Sequence, residues 1–212
     1  MISLIGIGIT SFVVALSGAL MPGPLLTTTV GESMRYGPRA GPLLIAGHAI
    51  LELALVTALF LGLAPLLTDN KITAGISLAG GVVLLYLAFG MFRTLPTLSL
   101  ETDGSSKKGH GRLITSGILV SLSNPYWSVW WATIGLAYVL QSKQFGMAGV
   151  MIFFVGHILA DLSWYSLVSF SVGKGKRFIN NALYRWIVGI CALFLAGFAL
   201  WFFWAGVRKV VW

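Results

Sequence analysis

Apolar residues in this chain arrive in blocks rather than alternating with polar ones. Six blocks stand out: Leu4 to Val30, Pro42 to Leu67, Ile72 to Phe92, Leu113 to Leu140, Phe145 to Val172 and Trp186 to Val207. Each is long enough to cross ~30 Å of hydrocarbon at about 1.5 Å per helical residue. Short polar stretches separate them: Arg35 to Arg39, Asp69-Asn70-Lys71, Gln141 to Gln144 and Lys174 to Arg185. One longer polar segment, Arg93 to Arg112, divides the chain near its midpoint. Inside a bilayer every backbone polar group must be satisfied by the segment itself, so blocks of this length predict helices. The expected fold is all-α, a polytopic membrane protein with six transmembrane helices.

Two of the six blocks carry a break. Pro22-Gly23-Pro24 sits inside an uncharged run from Met1 to Gly31. Each proline removes a backbone donor and clashes one turn back. Such a break survives at bilayer depth only where the freed carbonyls face protein or a water-filled cavity. Thr27, Thr28 and Thr29 follow it and can return hydrogen bonds to nearby carbonyls. The fourth block carries Asn124-Pro125. The first and fourth helices are therefore expected to be broken.

The halves also match each other. Gly47-His48 followed by three apolar residues and Glu52 recurs, 109 residues on, as Gly156-His157 followed by three apolar residues and Asp161. Gly80 maps to Gly189 and Phe89 to Phe198 at the same offset. The chain thus divides into a first three-helix repeat (1–93), a cytoplasmic linker (94–112) and a second three-helix repeat (113–212), all within one transmembrane domain. An odd number of spans per repeat inverts the second copy, and the site of such inverted repeats falls near the midplane, where the breaks meet.

Composition agrees. Only 9% of residues are charged, against about 25% in an ordinary soluble domain, which leaves no room for a soluble unit. The net charge of +8 would suggest nucleic acid in a soluble protein. Here the basic residues lie between spans, so a lipid headgroup is the expected partner and nucleic acid is not. Ten of the fourteen fall on the face reached after spans one, three and five. That face is expected to be cytoplasmic, with both termini extracytoplasmic. The N-terminus has no basic residue ahead of its apolar run, so it is read as a retained span. The single cysteine, Cys191, excludes an internal disulfide. Tryptophans near span ends, including Trp127, Trp130, Trp164, Trp186 and Trp204, are expected as interfacial anchors, with Trp130 and Trp131 as packing or lipid-facing aromatics.

Glu52 and Asp161 are the only acids within the blocks. A carboxylate at the helix centre costs ~2.5–3.5 kcal/mol on insertion scales, so each should face the interior and find a partner. A histidine four residues earlier shares its helix face. Tyr165 extends the face on the fifth span by one turn. Such a pair can exchange a proton, because histidine titrates near neutrality; it can equally hold a substrate ammonium or a metal ion. His48, Glu52, His157, Asp161 and Tyr165 are thus the candidates for proton coupling or ligand binding. Pro22, Gly23, Pro24, Asn124, Pro125 and Trp127 are the candidates for substrate binding. There the N–H groups that start a half-helix suit a carboxylate and the free carbonyls suit a cation. Ser17-Gly18 with a membrane histidine leaves a remote alternative, an intramembrane enzyme such as a serine protease, and a membrane scaffold is the other. No phosphate loop, zinc-finger spacing or dinucleotide fingerprint is present.

The Pro-Gly-Pro of the first span, Asn124-Pro125 in the fourth, the length and the paired halves together resemble the lysine exporter (LysE/RhtB) family. Where that family often has a lysine after Asn-Pro, this chain has Tyr126 and Trp127. The resemblance covers nearly the whole chain. It implies a transporter, not an enzyme, in the plasma membrane of a prokaryote. It implies export of amino acids or similar small solutes by antiport, driven by an ion gradient such as protons, with no cofactor. The alternative is a divalent metal-ion exporter using His48, Glu52, His157 and Asp161. Neither substrate nor oligomeric state is fixed at this level, and a homo-oligomer is compatible with it.

Overall fold

A computed structural model describes residues 3–20, 23–63, 70–97, 109–175, 178 and 180–211. All regular structure among them is helical: α1 (Leu4–Ala19), α2 (Pro24–Tyr36), α3 (Ala40–Phe60), α4 (Asn70–Thr94), α5 (His110–Leu122), α6 (Pro125–Trp130), α7 (Leu136–Lys143), α8 (Gly146–Gly175) and α9 (Asn181–Val211). A 3-10 turn, Gly37–Arg39, joins α2 to α3, and a π-helical turn, Trp131–Gly135, joins α6 to α7. Four stretches are long and apolar enough to cross a membrane: Pro24–Phe60, Ala74–Thr97, Gly146–Gly175 and Asn181–Lys209. The first is bent double. Pro24 and Glu52 line one cavity, whereas a straight helix would hold them about 42 Å apart. The chain reverses at Gly37, whose φ of 70° lies in the left-handed region that glycine tolerates.

The span boundaries differ from the sequence expectation in two places. The basic loop placed at Arg35 to Arg39 shrinks to the Gly37–Arg39 turn, because α2 continues through Arg35 to Tyr36. The fourth block is not one helix with a kink but three helical pieces and a π turn. Most of the linker, 98–108, lies outside the described residues, as does Pro22.

Burial is arranged as in lipid. Large side chains such as Ile5, Leu193, Phe194 and Leu200 face outward, while Ser11, Thr29, Ser33, Glu52, Asp161 and Ser169 are enclosed. The enclosed hydroxyls return hydrogen bonds to carbonyls. Thr29 Oγ1 donates to Leu25 O at 2.8 Å within α2, and Ser11 Oγ donates to Phe153 O at 2.7 Å between helices. Trp186 and Trp204 are exposed.

Three helix pairs form the body: α1 with α8, α3 with α5, and α4 with α9; α3 also packs on α8. Small residues set the close approaches. A Cβ on Gly47 would overlap the Ile114 carbonyl, one on Gly117 the Leu44 carbonyl, and one on Gly156 the Gly8 carbonyl. Such backbone contact replaces the hydrophobic drive that lipid cannot supply. Gly47→Ala is therefore expected to destabilise by about 1–3 kcal/mol through overpacking. Gly75→Ala, where a Cβ meets nothing within 4 Å, should be neutral or gain up to ~1 kcal/mol of helix propensity. Thermal unfolding of the two purified variants checks the difference in sign.

Candidate functional site

The centre of the molecule is built by α3 and α8. The i,i+4 spacing places His48 above Glu52 on α3 and His157 above Asp161 on α8, and the packing of the two helices turns both faces inward. The four side chains are buried. His48 Nε2 lies 3.0 Å from Glu52 Oε1 and 3.6 Å from Asp161 Oδ2. His157 Nε2 lies 3.0 Å from Glu52 Oε2 and 3.4 Å from Asp161 Oδ2. Each imidazole therefore sits between both carboxylates. An ionised carboxylate has no hydrogen to donate, so each 3.0 Å contact needs a proton between nitrogen and oxygen.

Supporting groups come from the fourth block. Asn124 caps α6: its side chain accepts from Tyr126 N at 3.1 Å, and Pro125 follows at the first helical position. That is the favoured pairing for a helix start, because proline lacks a donor where none is needed. Starting there, Trp127 and Trp131 are four residues apart and share a face. Both indole nitrogens donate to Glu52 Oε1, at 2.9 and 2.8 Å. The π turn begins at Trp131, and π bulges of this kind recur at functional sites. On α5, Ser121 Oγ lies 2.7 Å from His48 Nδ1. Trp130, Trp131 and Phe153 surround the His157 ring, with centroids 4.9, 5.3 and 6.0 Å away.

These groups border one cavity of about 170 Å³. His48, Glu52, His157, Asp161 and Tyr165 line it together with Gly23, Pro24, Asn124 and Trp127. The break between α1 and α2 opens there. Gly23 is extended at φ −160°, Pro24 starts α2, and no side chain caps that start. The start of α2 thus borders a space that a ligand can enter, with Leu25 and Leu26 as the first residues of the helix that carry an N–H. Of the candidate substrate residues, Pro22 lies outside the described residues, and Pro125 takes part as the first residue of α6.

Two expectations are corrected. Trp127 and Trp130 are not exposed anchors: Trp130 and Trp131 are buried and Trp127 is half-buried. Trp130 and Trp131 are core-packing residues, not lipid-facing ones, and Trp127 and Trp131 turn their indole nitrogens to Glu52. Ser17 is exposed and donates to Val14 O in its own turn at 2.6 Å, so it is no nucleophile for the central histidines. Ser121 and Trp131 belong to the site although the sequence does not single them out for it. The four-residue spacing from Trp127 was the signal for Trp131; Ser121 carried none.

A buried acid–imidazole cluster, a broken first helix and an outward apolar surface define a multi-pass membrane translocator. The chain belongs to the LysE type translocator family, whose model matches residues 16–206. It is similar to the "Putative amino acid efflux protein YcgF" of Bacillus subtilis, 22% identical over 203 residues, which cover 94% of this chain and 96% of that one. It is also similar to the "Chemotactic transduction protein ChpE" of Pseudomonas aeruginosa, 27% identical over 186 residues, which cover 84% and 90%. No solved structure matches.

Hydrogen bonds to charged groups are worth about 1.5–3 kcal/mol. Trp131→Phe should therefore lower stability by about 2 kcal/mol. Trp201→Phe, at an exposed ring, should leave it within about 0.5 kcal/mol. Denaturant or thermal unfolding of the two variants decides this.

Proposed function

We propose that this protein is a secondary active transporter of the prokaryotic plasma membrane that exports amino acids or related small solutes by alternating access, driven by a proton gradient. The observation that carries the proposal is the meeting of His48, Glu52, His157 and Asp161 in one buried cavity that also receives the uncapped start of α2. The tetrad offers groups that can take up and release protons or hold a ligand's cationic end. The start of α2, with its partial positive charge, offers a seat for a carboxylate. The printed name of the Bacillus subtilis relative supports efflux of amino acids.

Alternating access needs two units that rock about a fixed site. We assign these to two inverted three-helix repeats, residues 1–93 and 113–212, joined by a cytoplasmic linker at 94–112, with both termini outside. Pairing across the halves supports the assignment. The first helix of each half packs on the second helix of the other: α1 on α8, α5 on α3. The third helices, α4 and α9, pack on each other. Matched glycines carry matched contacts: Gly47 meets a carbonyl of α5, and Gly156, 109 positions on, meets a carbonyl of α1.

Glu52→Gln and Asp161→Asn keep side-chain shape and remove the charge. Each should reduce proton-driven efflux from proteoliposomes at least roughly tenfold, the loss of about 1.4 kcal/mol of coupling, while the purified variants stay monodisperse. The solute is the amino acid that most raises the melting temperature of the wild-type protein. Normal transport by the double variant would remove the carboxylates from the mechanism.

A further inference from the structure

We infer that the tetrad is a binding site for one divalent transition-metal ion, held by His48 Nε2, His157 Nε2, Glu52 Oε2 and Asp161 Oδ2. The inference goes beyond the export reading and concerns binding alone.

Spacing is the first support. One nitrogen or oxygen from each of the four residues falls within 4.8 Å of every other. Among the assigned atoms the nitrogen–oxygen contacts are 3.6 Å from His48 to Asp161, 3.0 Å from His157 to Glu52 and 3.4 Å from His157 to Asp161. A tetrahedral ion with bonds of about 2.0–2.1 Å sets its ligand atoms about 3.3 Å apart. Small side-chain rotations would bring the remaining edges to that length.

The pattern of hydrogen bonding is the second, independent support. Glu52 Oε2 and Asp161 Oδ2, the oxygens assigned to the ion, are buried, and the groups set against them are the inward imidazole nitrogens, at 3.0 Å for Glu52 and 3.4 and 3.6 Å for Asp161. Glu52 Oε1 is already taken by the Trp127 and Trp131 indoles. His48 points Nε2 inward because Nδ1 is held by Ser121. Metal sites are built this way: ligating histidines and carboxylates spend their far atoms on outer partners that fix tautomer and orientation. His157 is the exception, since its Nδ1 has no hydrogen-bond partner and its ring is fixed by the surrounding aromatics.

Charge is the third. Two carboxylates, two neutral imidazoles and a divalent ion sum to zero, so one ion leaves no net charge in a low-dielectric interior. Tyr126 and Tyr165 are the other titratable side chains lining the cavity. Two imidazoles with two carboxylates suit zinc, cobalt or nickel ahead of magnesium or calcium.

The test uses the tag-free full chain carrying His110→Ala. The sequence has three histidines, so the tetrad then holds the two that remain. Equilibrium dialysis against zinc chloride should give one saturable ion per chain, bound more weakly as the pH falls. Cobalt chloride should give the intense visible absorption of a tetrahedral centre. Asp161→Asn and His157→Gln should each weaken zinc binding at least tenfold. Ser121→Ala should weaken it about 10–100-fold, as loss of an outer partner does. No saturable binding by the parent chain would overturn the inference whatever the variants do, and so would binding unchanged in His157→Gln. Export of an amino acid by a chain that binds no zinc would overturn this inference alone, and zinc binding without export would overturn the transport reading alone.

Discussion

Two carboxylates and two imidazoles enclosed in a membrane interior set the terms for the rest of this structure. An isolated carboxylate at bilayer depth is expensive, and removing one partner of a buried ionic pair costs more than the pair contributes. Neither α3 nor α8 can face its acid toward lipid, so the two helices must present those faces to each other. Close approach then requires glycine: Gly41 supplies it against the Tyr165 carbonyl where α3 meets α8, Gly47 and Gly117 where α3 meets α5, and Gly156 where α8 meets α1. Glu52 needs more donors than the histidines alone provide. The fourth block meets that need by breaking at Asn124, restarting at Pro125 and passing through a π turn that leaves two indoles on one oxygen.

The two halves are alike in plan and unlike at the centre. His48 has a hydroxyl on its outer nitrogen and Glu52 has two indoles on its outer oxygen. His157 has rings around it, and Asp161 Oδ2 lies against the two imidazole nitrogens, at 3.4 and 3.6 Å. The α3 pair is thus fixed by its surroundings, while the α8 pair is held mainly by the α3 pair. A site that binds and releases a ligand needs such a division between a rigid side and an adaptable one.

Much of this was legible in the chain. The blocks, the two breaks and the repeated Gly-His-x-x-x-acid spacing are local, and they carry the helical class, the pairing of His48 with Glu52 and that of His157 with Asp161. Contacts between distant elements were not legible. Trp131 reads as one more aromatic in an apolar run until α6 is seen to start at Pro125 and aim it at Glu52. Ser121 is an ordinary helix serine until α5 crosses α3 at Gly47. Gly37 looks like part of a loop, yet it folds a 37-residue helical stretch back on itself. That is why α2 starts beside the tetrad rather than far from it.

The claim beneath all of these is that the faces of α3 and α8 meet and hold each other through charge. A double-mutant cycle across the two helices tests it most directly. Glu52→Gln, His157→Gln and the double variant are unfolded with denaturant beside the parent chain in one detergent. The account predicts a coupling between the two positions of about 1–3 kcal/mol, as residues in one buried network show. Effects that add to within about 0.5 kcal/mol would mean that the two side chains do not interact, and would contradict it.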